Sequence, residues 1–253
     1  MLEIGIIVTR NLSEKYEELL LELVFELKRD LIFYIIDLES TNLENITFSG
    51  VKVDIEGANH GIYELPNNIF NLSAEKRKYK MNKLRKLNAV DGIILYNSHN
   101  RLDQVSVFDI LKLSSKTRKY LTKIEKRVDE YNSENLYLKR KLVDELDIIT
   151  PSGNLLYTDV KRKMIRKIVK VNCFLEDNNA SNDTIKDVSR DVVHFLRRFY
   201  PGTIMFTINF AITVNNELLI MTVGGYDQFD IRNTLLKIVS FIHMKGRESF
   251  EMG

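Results

Sequence analysis

The chain has 253 residues, of which 44% are hydrophobic and 28% are charged, a balance typical of a globular protein that buries a sizeable core. Its 37 basic and 35 acidic residues give a net charge of +2, so the overall charge implies neither nucleic acid nor a membrane as partner. The single cysteine, Cys173, excludes an internal disulfide framework and suits a reducing compartment. No basic n-region and no apolar stretch of roughly 18 residues is present, so we expect a cytoplasmic protein.

The first hundred residues predict a small α/β domain with a mainly parallel sheet. The apolar run EIGIIV at residues 3–8 is typical of a strand buried on both faces. Residues 13–29 carry apolar side chains at helical spacing and residues 32–37 are again strand-like, so the chain opens with a β-α-β unit. Further along we expect two edge strands at 50–55 and 61–66, a strand at 67–72, a basic helix at 73–87 and a strand at 92–97.

Three polar residues follow that last strand: Asn97, Ser98 and Asp103. Ligand sites in open α/β sheets favour the carboxyl ends of parallel strands, which makes these residues candidates for a site. Capping of the loop explains the same residues without any ligand. Both interpretations stay open at this point.

The second half of the chain predicts helices first and then a mixture of hairpins and helices. Helical segments are expected at 104–113 and 115–131, a hairpin at 145–160, a helix at 181–200, a hairpin at 207–224 and a last helix that Gly246 stops. Residues 160–171 have the period of an amphipathic helix, whereas their β-branched content and the preceding turn favour a strand. We adopt the strand.

Common catalytic and ligand motifs are missing. The sequence has neither GxxxxGK[ST] nor GxGxxG, and its four histidines lack the spacing of a zinc site. The strongest local charge feature is a basic run, which is either a solvated face of a strand or helix or a surface that binds phosphate groups or an anionic polymer. No aromatic residues are interleaved with it, so specific nucleic-acid binding is not expected. The run consists of Lys161, Arg162, Lys163, Arg166, Lys167 and Lys170.

Four stretches stand in a characteristic order along the chain: EIGIIVTR, ELPNNIFNLSAEKRKYKMNKLRKLN, ILYNSHNRLDQVSVFDILKLSSKTRKYL, and the C-terminal part from VSRDVVHFLRRFYPG through INFAITVNNELLIMTVGG to LLKIVSFIHMKG. In this order they resemble the YheC/YheD family of endospore coat-associated ATP-grasp proteins. The resemblance implies a pre-ATP-grasp-like α/β domain at 1–100 and a helical connector at 101–135. A reduced ATP-grasp-like α+β subdomain would follow at 136–253.

This sequence departs from the family pattern where the chemistry would lie. The family places an Asp on its penultimate strand and Glu-x-Asn on its last strand as magnesium ligands, whereas the matching positions here are Asn209, Thr222 and Gly224. Lys139, in LYLKR, matches either the family's ATP-contacting lysine or a remnant of the hinge strand that contacts adenine. No glycine-rich loop follows it in either case.

These departures favour a pseudoenzyme that acts by binding. The resemblance implies a protein partner, either a spore-coat component or an intact ATP-grasp paralogue, with deposition on the spore coat and no cofactor. One alternative is an active ATP-dependent carboxylate–amine ligase with a rearranged site, in which other carboxylates hold Mg²⁺ and ATP. Its candidate ligands are Glu145, Asp147, Asp227 and Asp230. A second alternative is a protein that binds an anionic polymer through the basic run.

Overall fold

The computed structural model describes residues 2–9, 13–27, 30–73, 78–98, 102–121, 123–128, 136–141, 145–149, 165–175, 177–213, 215–225 and 231–251. For residues 78, 123–128, 136–141, 145–149, 165 and 246–251 it describes the backbone. The chain divides into two compact units. The first comprises Met1–Arg101, Gly202–Ile204 and Tyr226–Gly253, and the second comprises Leu102–Pro201 and Met205–Gly225.

The described strands and helices follow one another in a mixed α/β order. In the first half they are β1 (Leu2–Ile7), α1 (Ser13–Leu27), β2 (Leu31–Ile36), β3 (Thr47–Asp54), β4 (Gly57–Glu64), β5 (Asn68–Asn71), α2 (Lys78–Leu87), β6 (Ile94–Tyr96), α3 (Gln104–Lys112) and α4 (Ser115–Arg118). In the second half they are β7 (Lys123–Val128), β8 (Leu136–Lys141), β9 (Glu145–Ile149), β10 (Ile165–Phe174), β11 (Asp177–Asn178), α5 (Asp183–Leu196), β12 (Met205–Thr213), β13 (Leu218–Gly224) and α6 (Ile231–Glu251). No helix within the described ranges is long and apolar enough to cross a membrane.

The first unit contains a six-stranded sheet in the order β4-β3-β2-β1-β5-β6. Strands β2, β1, β5 and β6 are parallel, and β3 and β4 add an antiparallel hairpin at one edge. Every residue of β2 is buried, which explains its continuous apolar sequence LIFYII. The predicted β-α-β opening and the edge position of the hairpin are therefore confirmed.

The last helix belongs to this first unit. The ring of Phe241 in α6 lies edge-on against Tyr96 of β6 at 5.3 Å between centroids, and Tyr96 stacks on Phe70 of β5 at 4.6 Å. The compact units thus differ from the segments 1–100, 101–135 and 136–253 expected from the sequence. The predicted stop at Gly246 is wrong, because α6 continues to Glu251. A single glycine costs a helix only about 1 kcal/mol and does not end it unaided.

The second unit is built on an antiparallel sheet in the order β11-β10-β12-β13. One face of this sheet is apolar and packs with α3 and α5 into a buried cluster that includes Phe108, Val192, Phe206, Phe210 and Cys173. Helix α5 presents Ile185, Val188, Val192 and Leu196 to this core, as the helical spacing predicts. The strand prediction for 160–171 is confirmed from Ile165 onward, and residues 160–164 lie outside the described ranges.

A second, three-stranded antiparallel sheet in this unit consists of β7, β8 and β9. Residues 123–128 were predicted to be helical, and that prediction is wrong because they form β7 and pair with β8 from Lys123↔Lys141 to Val128↔Leu136. Lysine, glutamate and arginine favour helices locally, but pairing with a distant strand overrides that preference. The strand predicted at the start of the 145–160 hairpin is confirmed as β9, which pairs with β8. The second half of that hairpin lies outside the described residues.

Candidate functional site

The positions matched to metal ligands lie on one face of the sheet in the second unit. Asn209 of β12 lies between Lys170 of β10 and Thr222 of β13 in the strand register, and Thr207 lies between Asn172 and Gly224. Side chains alternate between the faces of a strand, so these residues share the face opposite the apolar core. We call this face the polar sheet face, and it consists of Lys170, Asn172, Thr207, Asn209, Thr222 and Gly224.

A β-bulge gives Thr222 its place on this face. Asn209 pairs with Thr222 while Phe210 pairs with Ile220, which leaves Met221 as an extra residue on β13. Because of that extra residue, Ile220 can face the core while Thr222, two positions later, lies on the opposite face. A regular strand would have put both side chains on the same face.

Four of the polar side chains on this face form two hydrogen-bonded pairs. The Asn209 amide donates a hydrogen bond from Nδ2 to Oγ1 of Thr222 at 2.7 Å. Two residues earlier on β12, the Thr207 hydroxyl donates a hydrogen bond to Oδ1 of Asn172 on β10 at 3.2 Å. The structure therefore brings Asn209 and Thr222 together as the sequence match expects, and it joins them to each other by a direct side-chain hydrogen bond.

These donors do not fit a magnesium ion that bridges phosphates. Such hard cations are held by several charged oxygens, whereas Asn209 and Thr222 are neutral and Gly224 has no side chain. Space is available at Gly224, because a Cβ built there would meet its nearest neighbour, the Thr207 carbonyl oxygen, at 4.0 Å. Within the described parts of the chain, no group of three or more His, Cys, Asp or Glu side chains is placed to hold a metal ion.

The alternative carboxylates cannot be placed in this site from the described residues. Asp227 and Asp230 lie outside them, while Glu145 and Asp147 are described by their backbone in β9. Lys139 lies on β8, the central strand of its sheet, opposite Glu125 and Asp147. A position on a strand is compatible with both matches given above, the family's ATP-contacting lysine and the hinge strand that contacts adenine. The role of Lys139 as a nucleotide contact stays a prediction.

Gln104 contacts the strand that carries the candidate positions, and the sequence did not reveal this contact. Its side-chain amide donates from Nε2 to the Val223 carbonyl at 2.6 Å and accepts at Oε1 from the Val223 N–H at 2.9 Å. The amide thereby occupies both backbone groups of Val223, which stands between Thr222 and Gly224. Nearby, the N–H of Ile220 donates to the Tyr120 carbonyl at 2.7 Å. The outer side of β13 is thus held by contacts from residues about 100 positions earlier in the chain.

The polar residues after β6 have structural roles. Asn97 is fully buried, and its Oδ1 accepts a hydrogen bond from the Ile204 N–H at 3.0 Å. Asp103 caps α3 by accepting from the Ser106 N–H at 2.9 Å and from the Ser106 hydroxyl at 2.7 Å. The capping interpretation is therefore confirmed for Asp103. Burial, reinforced by the Asp103 carboxylate, raises the pKa of Tyr200 above its usual value, so this phenol stays neutral at pH 7.

The described part of the basic run does not form a single cationic face. Lys170 lies opposite Asn209 on the polar sheet face, whereas Lys167 lies opposite Ile212, which packs against the apolar core. Arg166, at a bulge in β10, donates to Oδ1 of Asn216 at 2.9 Å. Lys161, Arg162 and Lys163 lie outside the described residues. Anion binding by the run stays a prediction.

Comparison with known proteins identifies the fold. No family model matches the chain, and no curated protein matches its sequence. Among solved structures, the ATP-grasp ligase PsnB, complexed with a minimal precursor, matches with a TM-score of 0.54 and 9% identity over 90% of this chain and 92% of that one.

Two further matches have lower TM-scores. The D-alanine-D-alanine ligase from Coxiella burnetii matches with a TM-score of 0.48 and 10% identity over 89% of this chain and 86% of that one. The macrocyclase MdnC from Microcystis aeruginosa MRC, bound with precursor peptide MdnA, also has a TM-score of 0.48, with 7% identity over 90% of this chain and 92% of that one. The predicted fold class is confirmed: the chain has an ATP-grasp-like fold.

Proposed function

We propose that this chain is a catalytically degenerate protein of ATP-grasp-like fold that acts by binding. The observation that carries the proposal is the hydrogen bond between Asn209 and Thr222, which joins two neutral side chains where the family pattern has magnesium carboxylates. An amide and a hydroxyl at these positions provide no negative charge for a cation. The fold is kept while the donors that its chemistry needs are replaced.

The physical argument concerns charge in the transition state. Phosphoryl transfer depends mainly on positioning and on neutralising charge at the phosphates, which magnesium does in the family pattern. Magnesium keeps a strong preference for charged oxygen ligands because it gives up its water reluctantly. Two neutral side chains that already bond each other do not compensate the magnesium ion for the loss of its bound water. We therefore expect weak or no magnesium-dependent nucleotide binding.

The partner that we propose is another protein, either a spore-coat component or an intact ATP-grasp paralogue. This choice is supported by the resemblance to the YheC/YheD family. Mass spectrometry of the affinity-tagged chain, purified from sporulating cells, should recover one of these two classes. Recovery of neither class, when an unrelated tagged coat protein recovers its own partners under the same conditions, would count against the proposed partner.

Isothermal titration with a non-hydrolysable ATP analogue, with and without Mg²⁺, tests the loss of chemistry directly. The native chain should give no magnesium-dependent heat. A matched variant carrying Asn209→Asp, Thr222→Glu and Gly224→Asn restores the family's donor types, and Gly224 has room for the added side chain. This variant should bind magnesium more tightly than the native chain.

The opposite result would move the ligase to first place. Magnesium-dependent binding by the native chain would mean that other carboxylates, such as Asp227 and Asp230, hold the ion. Release of ADP in the presence of candidate acids and amines would then identify the reaction as carboxylate–amine ligation. Under the present proposal no such release occurs.

A further inference from the structure

The six-stranded sheet of the first unit has two very different edges. At one edge β6 is three residues long, and at the other edge β4 is eight residues long. A long edge strand exposes unpaired backbone N–H and C=O groups, and proteins usually protect such strands with lysine, proline, a bulge or short length. The sequence of β4, GANHGIYE, has no lysine, arginine or proline, and its register with β3 is unbroken from Thr47↔Glu64 to Asp54↔Gly57.

The hydrogen-bond pattern shows which backbone groups of β4 point outward. Leu65 donates from its N–H to the Ile46 carbonyl at 2.9 Å, so that pair is hydrogen-bonded and every second pair along the ladder follows it. Thr47, opposite Glu64, uses its own N–H and C=O to bond Asn42 on the other side. The N–H and C=O groups of His60, Ile62 and Glu64 therefore point away from β3.

The side chains of these residues make this edge self-complementary. His60, Ile62 and Glu64 alternate onto one face of the sheet, and all three are exposed. Ile62 is 77% exposed, the highest value among the described large hydrophobic residues. Its neighbours at two residues on either side are an imidazole, which can donate a hydrogen bond, and a carboxylate, which accepts one. The imidazole also lies 3.9 Å from the Glu17 carboxylate of α1.

We propose that β4 pairs antiparallel with β4 of a second copy of this chain, about a two-fold axis at Ile62. This register places Ile62 against the partner's Ile62 and His60 against the partner's Glu64, and symmetry repeats the second pair. The outward N–H and C=O groups of residues 60, 62 and 64 are all paired in the resulting ladder. The two six-stranded sheets become one continuous sheet.

The opposite face of the sheet also accepts this register. Tyr63 lies across from the partner's Gly61, so a large side chain meets a residue that has none and no two large side chains clash on this face. Within one chain the Tyr63 ring already covers Gly61, since a Cβ added at Gly61 would come within 3.0 Å of that ring. The register centred one residue earlier would set Gly61 against the partner's Gly61 and His60 against the partner's Ile62. It would lose both the hydrogen-bonding His60–Glu64 pairs and the apolar Ile62–Ile62 pair.

Sedimentation velocity of the full chain tests the dimer. We expect the native chain to form a reversible dimer with a dissociation constant of about 1 to 100 μM, as for an interface of modest size. Ile62→Lys sets two like charges on the axis and should weaken the dimer at least about tenfold. The matched control is Ile55→Lys, because Ile55 is 65% exposed in the β3–β4 turn but lies outside the paired segment. A monomeric native chain, or equal effects of the two variants, would overturn the proposal.

Two further variants identify the pairing as a β-ladder in this register. Ile62→Pro removes only an outward N–H, because Ile62 and Ser49 form a non-hydrogen-bonded pair with β3, and it should also weaken the dimer about tenfold. An unchanged dimer in this variant would show that backbone pairing is not involved. Ile62→Cys should cross-link to itself with a short bismaleimide and Ile55→Cys should not, while native Cys173 is only 4% exposed. Equal cross-linking at both positions would contradict the register.

Discussion

Asparagine is used in one way after β6 of the first unit and in another way on the polar sheet face of the second. Asn97 is fully buried and bonds backbone groups of other residues. Its backbone N–H donates to the Gly202 carbonyl at 2.8 Å, and its side-chain Oδ1 accepts a hydrogen bond from the Ile204 backbone N–H. Asn209 is only partly buried, and its Nδ2 bonds the side chain of Thr222. An amide that bonds distant backbone is fixed by the fold, whereas an amide that bonds another side chain can change together with it. The fold can therefore persist while the polar sheet face changes its chemistry.

The largest expected effect tests the structural use of asparagine. Asn97→Ala should lower the free energy of unfolding by about 2 to 3 kcal/mol, because the Ile204 N–H loses its acceptor in the interior. Asn97 also has a φ of +57°, which alanine adopts with strain. Asn97→Gly keeps the backbone freedom and loses only the acceptor, so it should cost less than Asn97→Ala. Urea unfolding measures both, and losses below about 0.5 kcal/mol in both variants would end the comparison.

The second prediction tests whether a side-chain amide that bonds backbone groups also stabilises the fold in the second unit. Gln104→Ala removes two hydrogen bonds to Val223 and should cost about 1 to 2 kcal/mol in urea unfolding. Faster hydrogen exchange should appear at the Val223 amide, since it loses its acceptor. Gln104→Glu keeps an acceptor for that amide, so its exchange at Val223 should stay closer to native. Native-like exchange in Gln104→Ala would show that this contact does not hold β13.

A smaller effect is expected when charge is returned to the polar sheet face. Asn209→Asp combined with Thr222→Glu places two carboxylates at directly opposed positions and should destabilise the unit by about 0.5 to 1 kcal/mol without divalent ions. Millimolar Mg²⁺ should recover part of that loss, because a cation between the carboxylates relieves their repulsion. Asn209→Asp alone, with a threonine hydroxyl still opposite, is the control and should respond little to Mg²⁺. Equal responses would mean that the two positions do not cooperate.

The smallest effect concerns the Asn209–Thr222 hydrogen bond itself. A double-mutant cycle with Asn209→Ala and Thr222→Val should give a coupling free energy of about 0.5 kcal/mol, because the pair is partly exposed to water. Together the two changes should cost little more than one change alone. A coupling above about 2 kcal/mol would place this pair with the structural amides and erase the distinction between the two regions.

Much of the fold could be predicted because its local patterns are strong. Strands β1 and β2 are marked by continuous apolar runs, and α5 is marked by apolar residues at helical spacing. Each of these patterns can be read within the segment itself, without knowing which elements pack against it. Strand β7 could not be predicted, because its charged residues favour a helix until β8 pairs with it. The end of α6 was misjudged for a related reason: a glycine signals a helix end only statistically.

Matching the segments to the family pattern predicted Asn209, Thr222 and Gly224 as the site positions but gave no geometry for them, and their role stays a prediction. The bulge at Met221, which turns Thr222 onto the polar sheet face, leaves no pattern in the sequence. Gln104 was missed because its contact joins residues that are 119 positions apart. A side chain that completes a remote strand edge looks like an ordinary surface glutamine in a helix.

The placement of α6 has a consequence for how this protein is synthesised. The second unit is complete once a ribosome has reached residue 225, whereas the first still lacks the helix whose Phe241 packs on Tyr96 and Phe70. Nascent domains usually close in the order in which they are made. Here the unit that begins first must finish last, and the aromatic surface of β5 and β6 stays open to chaperones while some 130 further residues are translated. Slow translation after residue 225 would lengthen the exposure of that surface without delaying the second unit.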